Sequence, residues 1–200
     1  MATIQNNKNA TTDTLTVVAR KENKNIDKNQ AFIDAQNLYL GTTKADVPWI
    51  LDLKRFRIYL AQKYRAEKAY YFLGTYEENH KKLYDFLKGC GYTLCFREHG
   101  SAMASRKKGN VDTDIVFSIL SKIIEKEDFD KVVLASGDGD YWRTVNYLIN
   151  KNRFKKLLVP NRNAMSSLYK KISDTYYDCL DSDFVKPKIQ FNANKKAGSP

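Results

Sequence analysis

The sequence predicts an α/β fold in which a mostly parallel sheet carries helices on both faces, and two observations support that prediction. Between residues 30 and 185, short apolar runs bounded by Gly, Asp, Asn or Pro alternate with longer helical patterns. Strands separated by helices of this length are joined by crossovers, which leave them parallel. The second observation is that Asp34, Asp112, Asp138 and Asp140 fall where strands end or helices begin. In open α/β sheets that is the rim where ligands bind.

The elements follow in order. Residues 1–29 are rich in Asn, Thr and Lys, with one short apolar run from Leu15 to Ala19, and are expected to form a flexible tail. Ala31 to Ile33 is the first strand, directly followed by Asp34. A helical pattern runs from Pro48 to Lys63, then a strand from Ala69 to Leu73, a helix from Glu77 to Lys88 and a strand from Tyr92 to Phe96. Val111 to Lys126 carries an apolar stripe of Ile115, Val116, Ile119, Leu120, Ile123 and Ile124, the mark of a helix with one face buried. Lys131 to Ala135 is the next strand, Asp140 to Asn150 a helix, Lys156 to Val159 the last strand and Ala164 to Ile172 the last helix. Residues 186–200 are polar and basic without periodicity and are expected to be a second tail, which leaves one domain over residues 30–185.

With 200 residues, 42% of them hydrophobic, the chain is long enough for one well-packed core. A formal net charge of +11 favours a polyanionic partner. Cys90, Cys95 and Cys179 are an odd set with no repeated CxxC, which suits a reducing compartment better than a disulfide framework. A zinc cluster of Cys90, Cys95, His80 and His99 would have irregular spacing, and Cys95 lies in an apolar strand pattern where a buried thiol is the ordinary outcome. No stretch approaches a membrane span and the N-terminus has no long apolar run, so the expected location is cytoplasmic.

Carboxylates gathered from distant parts of a chain repel one another unless a cation joins them, and a hard divalent ion wants several oxygen ligands. Asp34 and Asp138 emerge on one rim if their strands are neighbours. Asp112 and Asp114 are not equivalent, because two residues of helix turn the side chain to nearly the opposite face. Stepping back from Ile115 and Val116 along the apolar stripe reaches Val111 and Asp112, so Asp112 continues the inward face. Asp114 lines up with Ser118, Ser121, Lys122 and Glu125, a face suited to water or to an outer role at the metal site. The two glycines of Ser136-Gly137-Asp138-Gly139-Asp140 let the backbone turn sharply and bring two carboxylates near one point, with Asp140 also able to cap the following helix. Asn37, read as a loop residue, could orient a carboxylate.

Other motifs fit less well. DTDIV is similar to the nucleophile motif of haloacid-dehalogenase-like phosphatases but lacks the apolar strand that should precede it, and neither GxGxxG after the first strand nor GxxxxGK[ST] occurs. Four blocks, AFIDAQNL, KKGNVDTDIVFSIL, VVLASGDGDY and LLVPNRNAMSSLYKKISD, occur in order and together resemble the NYN domain, the branch of the PIN-like nuclease superfamily that includes LabA-like proteins. The chain departs from that family's pattern at Ala35, where Gly is usual, and at Tyr141, where Phe is usual. The resemblance implies a three-layer α/β/α sandwich with an acidic pocket that binds Mg²⁺ or Mn²⁺ and is used to cleave RNA. Carried over by motif position, the metal-site acids are Asp34, Asp112, Asp138 and Asp140, with Asn37 beside them.

Expected RNA contacts are Arg106, Lys107 and Lys108, which lead into Asp112, and Asn161, Arg162, Asn163, Ser166 and Ser167 at the start of the last helix, where backbone N–H groups favour an anion. Tyr39, Trp49 and Tyr141 are candidates to stack on bases. A metal-dependent ribonuclease, as a monomer or a homo-oligomer, is the leading reading. Its alternatives are an RNA-binding module that keeps the acids without chemistry, and a phosphatase acting on small monoesters.

Overall fold

The computed structural model describes residues 27–97 and 111–192. Its strands are β1 (Asn29–Asp34), β2 (Ala66–Leu73), β3 (Thr93–Phe96), β4 (Val132–Ala135), β5 (Phe154–Val159) and β6 (Tyr177–Cys179). They form one six-stranded sheet in the order β3-β2-β1-β4-β5-β6, and every pairing between them is parallel. The α-helices are α1 (Ala35–Thr43), α2 (Leu53–Tyr64), α3 (Lys81–Gly89), α4 (Asp112–Ile124), α5 (Trp142–Asn150) and α6 (Lys186–Ile189).

Side chains alternate across the sheet with the two-residue period of a strand and build two cores. Ala31, Ile33, Ala69, Tyr71, Val133 and Leu158 pack against Leu38 of α1, Phe56 and Leu60 of α2, Leu87 of α3 and Ile189 of α6. Phe32, Tyr70, Phe72, Leu134 and Leu157 pack on the other face against Ile115 and Ile119 of α4 and Val145 and Leu148 of α5. The result is the expected α/β/α sandwich. A parallel sheet buried on both faces explains why its strands read as nearly continuous apolar runs.

The chain lays down β1, β2 and β3 toward one edge, then returns to pair β4 with the free side of β1 and builds outward to β6. Strand order therefore reverses between β1 and β4. Their register ends with Ile33 opposite Ala135, so the next residues, Asp34 and Ser136, leave the sheet side by side at this switch point.

Several elements differ from the sequence expectations. Helix α1 follows β1 with no intervening loop, because Asp34 ends the strand and caps the helix at once. Asn37 is accordingly in the first helical turn, not in a loop. Helix α2 starts at Leu53 and not at Pro48: the Asp52 carboxylate accepts from the Arg55 N–H at 3.0 Å and sets the boundary. The expected helix from Ala164 to Ile172 is instead two 3₁₀ turns, Arg162–Ala164 and Ser167–Lys171. Asn161 and Ser166 accept from the N–H groups of Asn163 and Leu168, and such local side-chain bonds offer the backbone an alternative to a continuous helix. The short edge strand β6 was not expected at all.

Candidate metal centre

Asp34 is 5% exposed and both its oxygens are engaged. Its Oδ1 accepts from the Asn37 N–H at 2.9 Å, and its Oδ2 accepts from the Tyr141 hydroxyl at 3.1 Å. Burial raises its pKa above the ordinary 3.8; the bonds from Asn37 and Tyr141 oppose that shift, and the negative charges of Asp112 and Asp138 add to it. The Asn37 side chain turns to the neighbouring strand, where its Oδ1 accepts from the Gly137 N–H at 2.8 Å. This bond joins the end of β1 to the loop after β4.

That loop is held from within. Ser136 is fully buried, and its Oγ accepts from the Asp138 N–H at 3.1 Å. Asp138 Oδ1 in turn accepts from the Asp140 N–H at 3.1 Å and caps the 3₁₀ turn Gly139–Tyr141. The cap is therefore Asp138 and not Asp140, because this turn precedes α5, which starts without a side-chain cap. The Tyr169 hydroxyl, from the second 3₁₀ turn after β5, donates to the Asp138 carbonyl at 2.5 Å. A Cβ on Gly139 would lie 2.5 Å from Ser166 Oγ, so only glycine lets the loop pack this closely on Ser166.

Asp112 sits in the first turn of α4, and its Oδ1 accepts from the Tyr141 hydroxyl at 2.5 Å. Asp112, Asp138 and Asp140 each bring one oxygen to within 4.8 Å of the other two. Asp34 stands outside this trio, though it lines the same cleft. Asp114 faces elsewhere: it lines a separate hollow with Phe117, Ser121 and Lys122, and its buried Oδ2 has no hydrogen-bond partner among the described residues.

The cleft above the acids has a volume of about 510 Å³. Asp34, Asp112 and Asp138 form its floor; Gln36, Leu40, Gly41 and Lys44 come from α1 and its end, and Pro160, Asn161 and Ala164 from the segment after β5. A second hollow of about 500 Å³ continues past Asp138 to Asp140, Ser166 and Leu168. Asn161 and Ser166 thus border the site, while Arg162 and Ser167 are exposed and line neither hollow. Arg106, Lys107 and Lys108 lie outside the described residues, as does His99. Trp49 and Tyr141 are buried, which removes them as stacking platforms; Tyr39 is 62% exposed.

Lys44, the basic side chain lining the cleft among the described residues, was missed because it lies outside the sequence blocks that singled out the site. Tyr169 was missed because an aromatic in an apolar pattern gives no hint of where its hydroxyl will donate. The sequence marks Tyr141 as a substitute for Phe and as a candidate to stack on bases, and neither reading uses its hydroxyl.

The donor set suits a hard divalent cation: three carboxylates on a solvent-accessible rim, with no thiol or imidazole in the group. Among the described residues, no helix is long and apolar enough to cross a membrane. A family model described as the NYN domain matches residues 30–181. The low amplitude and bright protein LabA of Synechococcus elongatus is 25% identical over 159 residues, covering 75% of this chain and 82% of that protein. A crystal structure of a protein of unknown function from Vibrio parahaemolyticus superposes with a TM-score of 0.64 at 20% identity, covering 82% of this chain and 96% of the other.

Proposed function

The chain belongs to the NYN domain family, and from that membership we propose that it is a metal-dependent ribonuclease that hydrolyses RNA phosphodiester bonds. The observation that carries the proposal is the trio Asp112, Asp138 and Asp140, drawn from two separate segments to within 4.8 Å at the switch point of the sheet. These three would hold Mg²⁺ or Mn²⁺, with Asp34 supporting them from the cleft floor. A cation there supplies Lewis acidity toward the phosphoryl group and neutralises charge on the leaving oxygen.

The protein's own contribution is preorganisation. Ser136, Asn37 and Tyr169 hold the backbone of the Gly137–Asp138 loop through the bonds described, which presents Asp138 to the cleft. Lys44 offers a cation to a phosphate entering past α1, and Asn161 and Ser166 offer polar contacts along the cleft and its continuation. Arg106, Lys107 and Lys108, which lead into Asp112 in the sequence, are proposed as further RNA contacts, as are Arg162 and Ser167 on the exposed surface, and Tyr39 as a stacking face. Cytoplasmic location belongs to the same proposal, supported by three free thiols, Cys90, Cys95 and Cys179.

Labelled single- and double-stranded RNA and DNA, incubated with wild type and Asp138→Asn in Mn²⁺, Mg²⁺ or chelator, test the proposal. We expect RNA cleavage by wild type with either ion and none with chelator or with the variant. Cleavage that persists in chelator overturns it; RNA binding without cleavage under any condition supports the binding-module alternative.

A further inference from the structure

The Tyr141 side chain is fully buried between two acids that come from different elements. Its hydroxyl lies 3.1 Å from Oδ2 of Asp34, at the end of β1, and 2.5 Å from Oδ1 of Asp112, in the first turn of α4. One hydroxyl carries one proton, and two carboxylate oxygens compete for it. This hydroxyl therefore joins the end of β1 to the first turn of α4 beside the cleft. The other oxygen of Asp34, Oδ1, is turned back to the Asn37 N–H of its own helix, so beyond this hydroxyl Asp34 meets the acid trio through the charges of Asp112 and Asp138.

We propose that Tyr141 is a positioning residue for the metal centre: its hydroxyl fixes the orientation of the Asp112 carboxylate toward Asp138 and Asp140, and Asp34 acts on the centre through this hydroxyl. The inference rests on the metal-site reading above and adds to it a role for a residue outside the acid trio. The geometry favours it over simple satisfaction of a buried hydroxyl. A tyrosine needing only one acceptor would be served by Asp34 alone, whereas here the same hydroxyl also reaches the acid that belongs to the trio. Groups that hold a metal ligand in place from behind are worth about 10- to 100-fold in metal affinity. Phe at position 141 would keep the ring in the core and remove only the proton that lies between the two carboxylates.

The test is calorimetric titration of Mn²⁺ into wild type, Tyr141→Phe, Asp34→Asn and the double variant, with circular dichroism to verify the fold. Tyr141→Phe is expected to weaken Mn²⁺ binding about tenfold. Asp34→Asn is expected to weaken binding in the wild-type background and to have a smaller effect when Tyr141 is already Phe, where the loss of the Asp34 charge is all that remains. An affinity for Tyr141→Phe within twofold of wild type, or tighter, overturns the proposal, as does an undiminished effect of Asp34→Asn in the double variant. In both cases a wild type that binds Mn²⁺ leaves the metal-site reading standing, whereas a wild type that binds none removes both. Should Tyr141→Phe fail to fold, wild type labelled at the tyrosine ring Cζ decides the question. Its Tyr141 resonance must move on saturation with Mg²⁺, and a resonance that stays fixed rejects the positioning role.

Discussion

Gly139 separates Asp138 from Asp140, and replacing it by Ala tests whether the acid loop is held by contact with the segment after β5. The new Cβ would lie 2.5 Å from Ser166 Oγ, 3.2 Å from Ser166 Cβ and 3.3 Å from Leu168 Cδ1. Rotating the Ser166 hydroxyl away relieves the first contact at the loss of its bond from the Leu168 N–H, worth about 1 kcal/mol. The two carbon contacts remain, and overpacking of this kind costs about 1–3 kcal/mol. Against this, Ala restricts the unfolded chain and returns about 0.4–1 kcal/mol. The balance is a destabilisation of about 1–3.6 kcal/mol, a fall in Tm of roughly 2–14 °C for a chain of this size. Urea unfolding of Gly139→Ala, Ser166→Ala and the double variant measures it. Because Ser166→Ala removes the atom at 2.5 Å but leaves the two carbon contacts, Gly139→Ala should cost about 1 kcal/mol less in that background, which is the coupling the cycle measures. Equal costs in the two backgrounds, or a stabilised Gly139→Ala, would refute the packing account.

Asp34→Asn should alter the pH dependence of stability in metal-free buffer. Because the folded-state pKa of Asp34 is raised, chiefly by burial, the native state holds this proton more tightly than the unfolded chain does; the stability it contributes is complete below the ordinary 3.8 and is lost as pH rises through the raised value. Stability of Asp34→Asn relative to wild type should therefore increase over that rise, as measured by urea unfolding between pH 4 and 8, and a difference that does not change with pH contradicts the assignment. Lys44→Ala, at the end of α1, should weaken RNA binding to a similar degree for all sequences and reduce the log–log salt slope by about 1, because one phosphate contact is lost. Fluorescence anisotropy over a salt series measures this, and an unchanged slope removes Lys44 from the substrate path.

The layered fold was legible because its strands are buried on both faces. Runs such as Val132–Ala135 are apolar throughout, and the helices between them are long enough to show a stripe. The errors fall where local chemistry replaces periodicity. Helix α1 has nine residues and buries only Ala35, Leu38 and Thr42, so little in AQNLYLGTT distinguishes a helix from the loop that Asp34 and Asn37 suggested. In the segment after β5, Asn161 and Ser166 bond to N–H groups two residues ahead and divide an apparent helix into 3₁₀ turns. That also removes the extended helix N-terminus expected to favour an anion at Asn161, Arg162, Asn163, Ser166 and Ser167.

At the acids, spacing along the chain carried more information than residue type. Helical phase separated Asp112 from Asp114, and in the structure Asp112 faces Asp138 and Asp140 while Asp114 lines a different hollow. Phase could make this distinction because it depends only on backbone geometry and the apolar stripe of α4. It could not show that Asp34 stands back from the trio, because that depends on which proton donors reach its two oxygens. One donor, Asn37, is local and follows from the start of a helix at Asp34; the other, Tyr141, is 107 residues away and arrives through the pairing of β1 with β4. A hydroxyl added to a ring at a core position barely changes its apolar character, so no pattern of hydrophobicity marks it. It becomes chemically informative only once the sheet has placed two carboxylates within reach of one phenol. Tyr141 is therefore where a motif match and the chemistry of this chain separate: a phenylalanine would fill the same core position, and only the tyrosine hydroxyl can link Asp34 to Asp112.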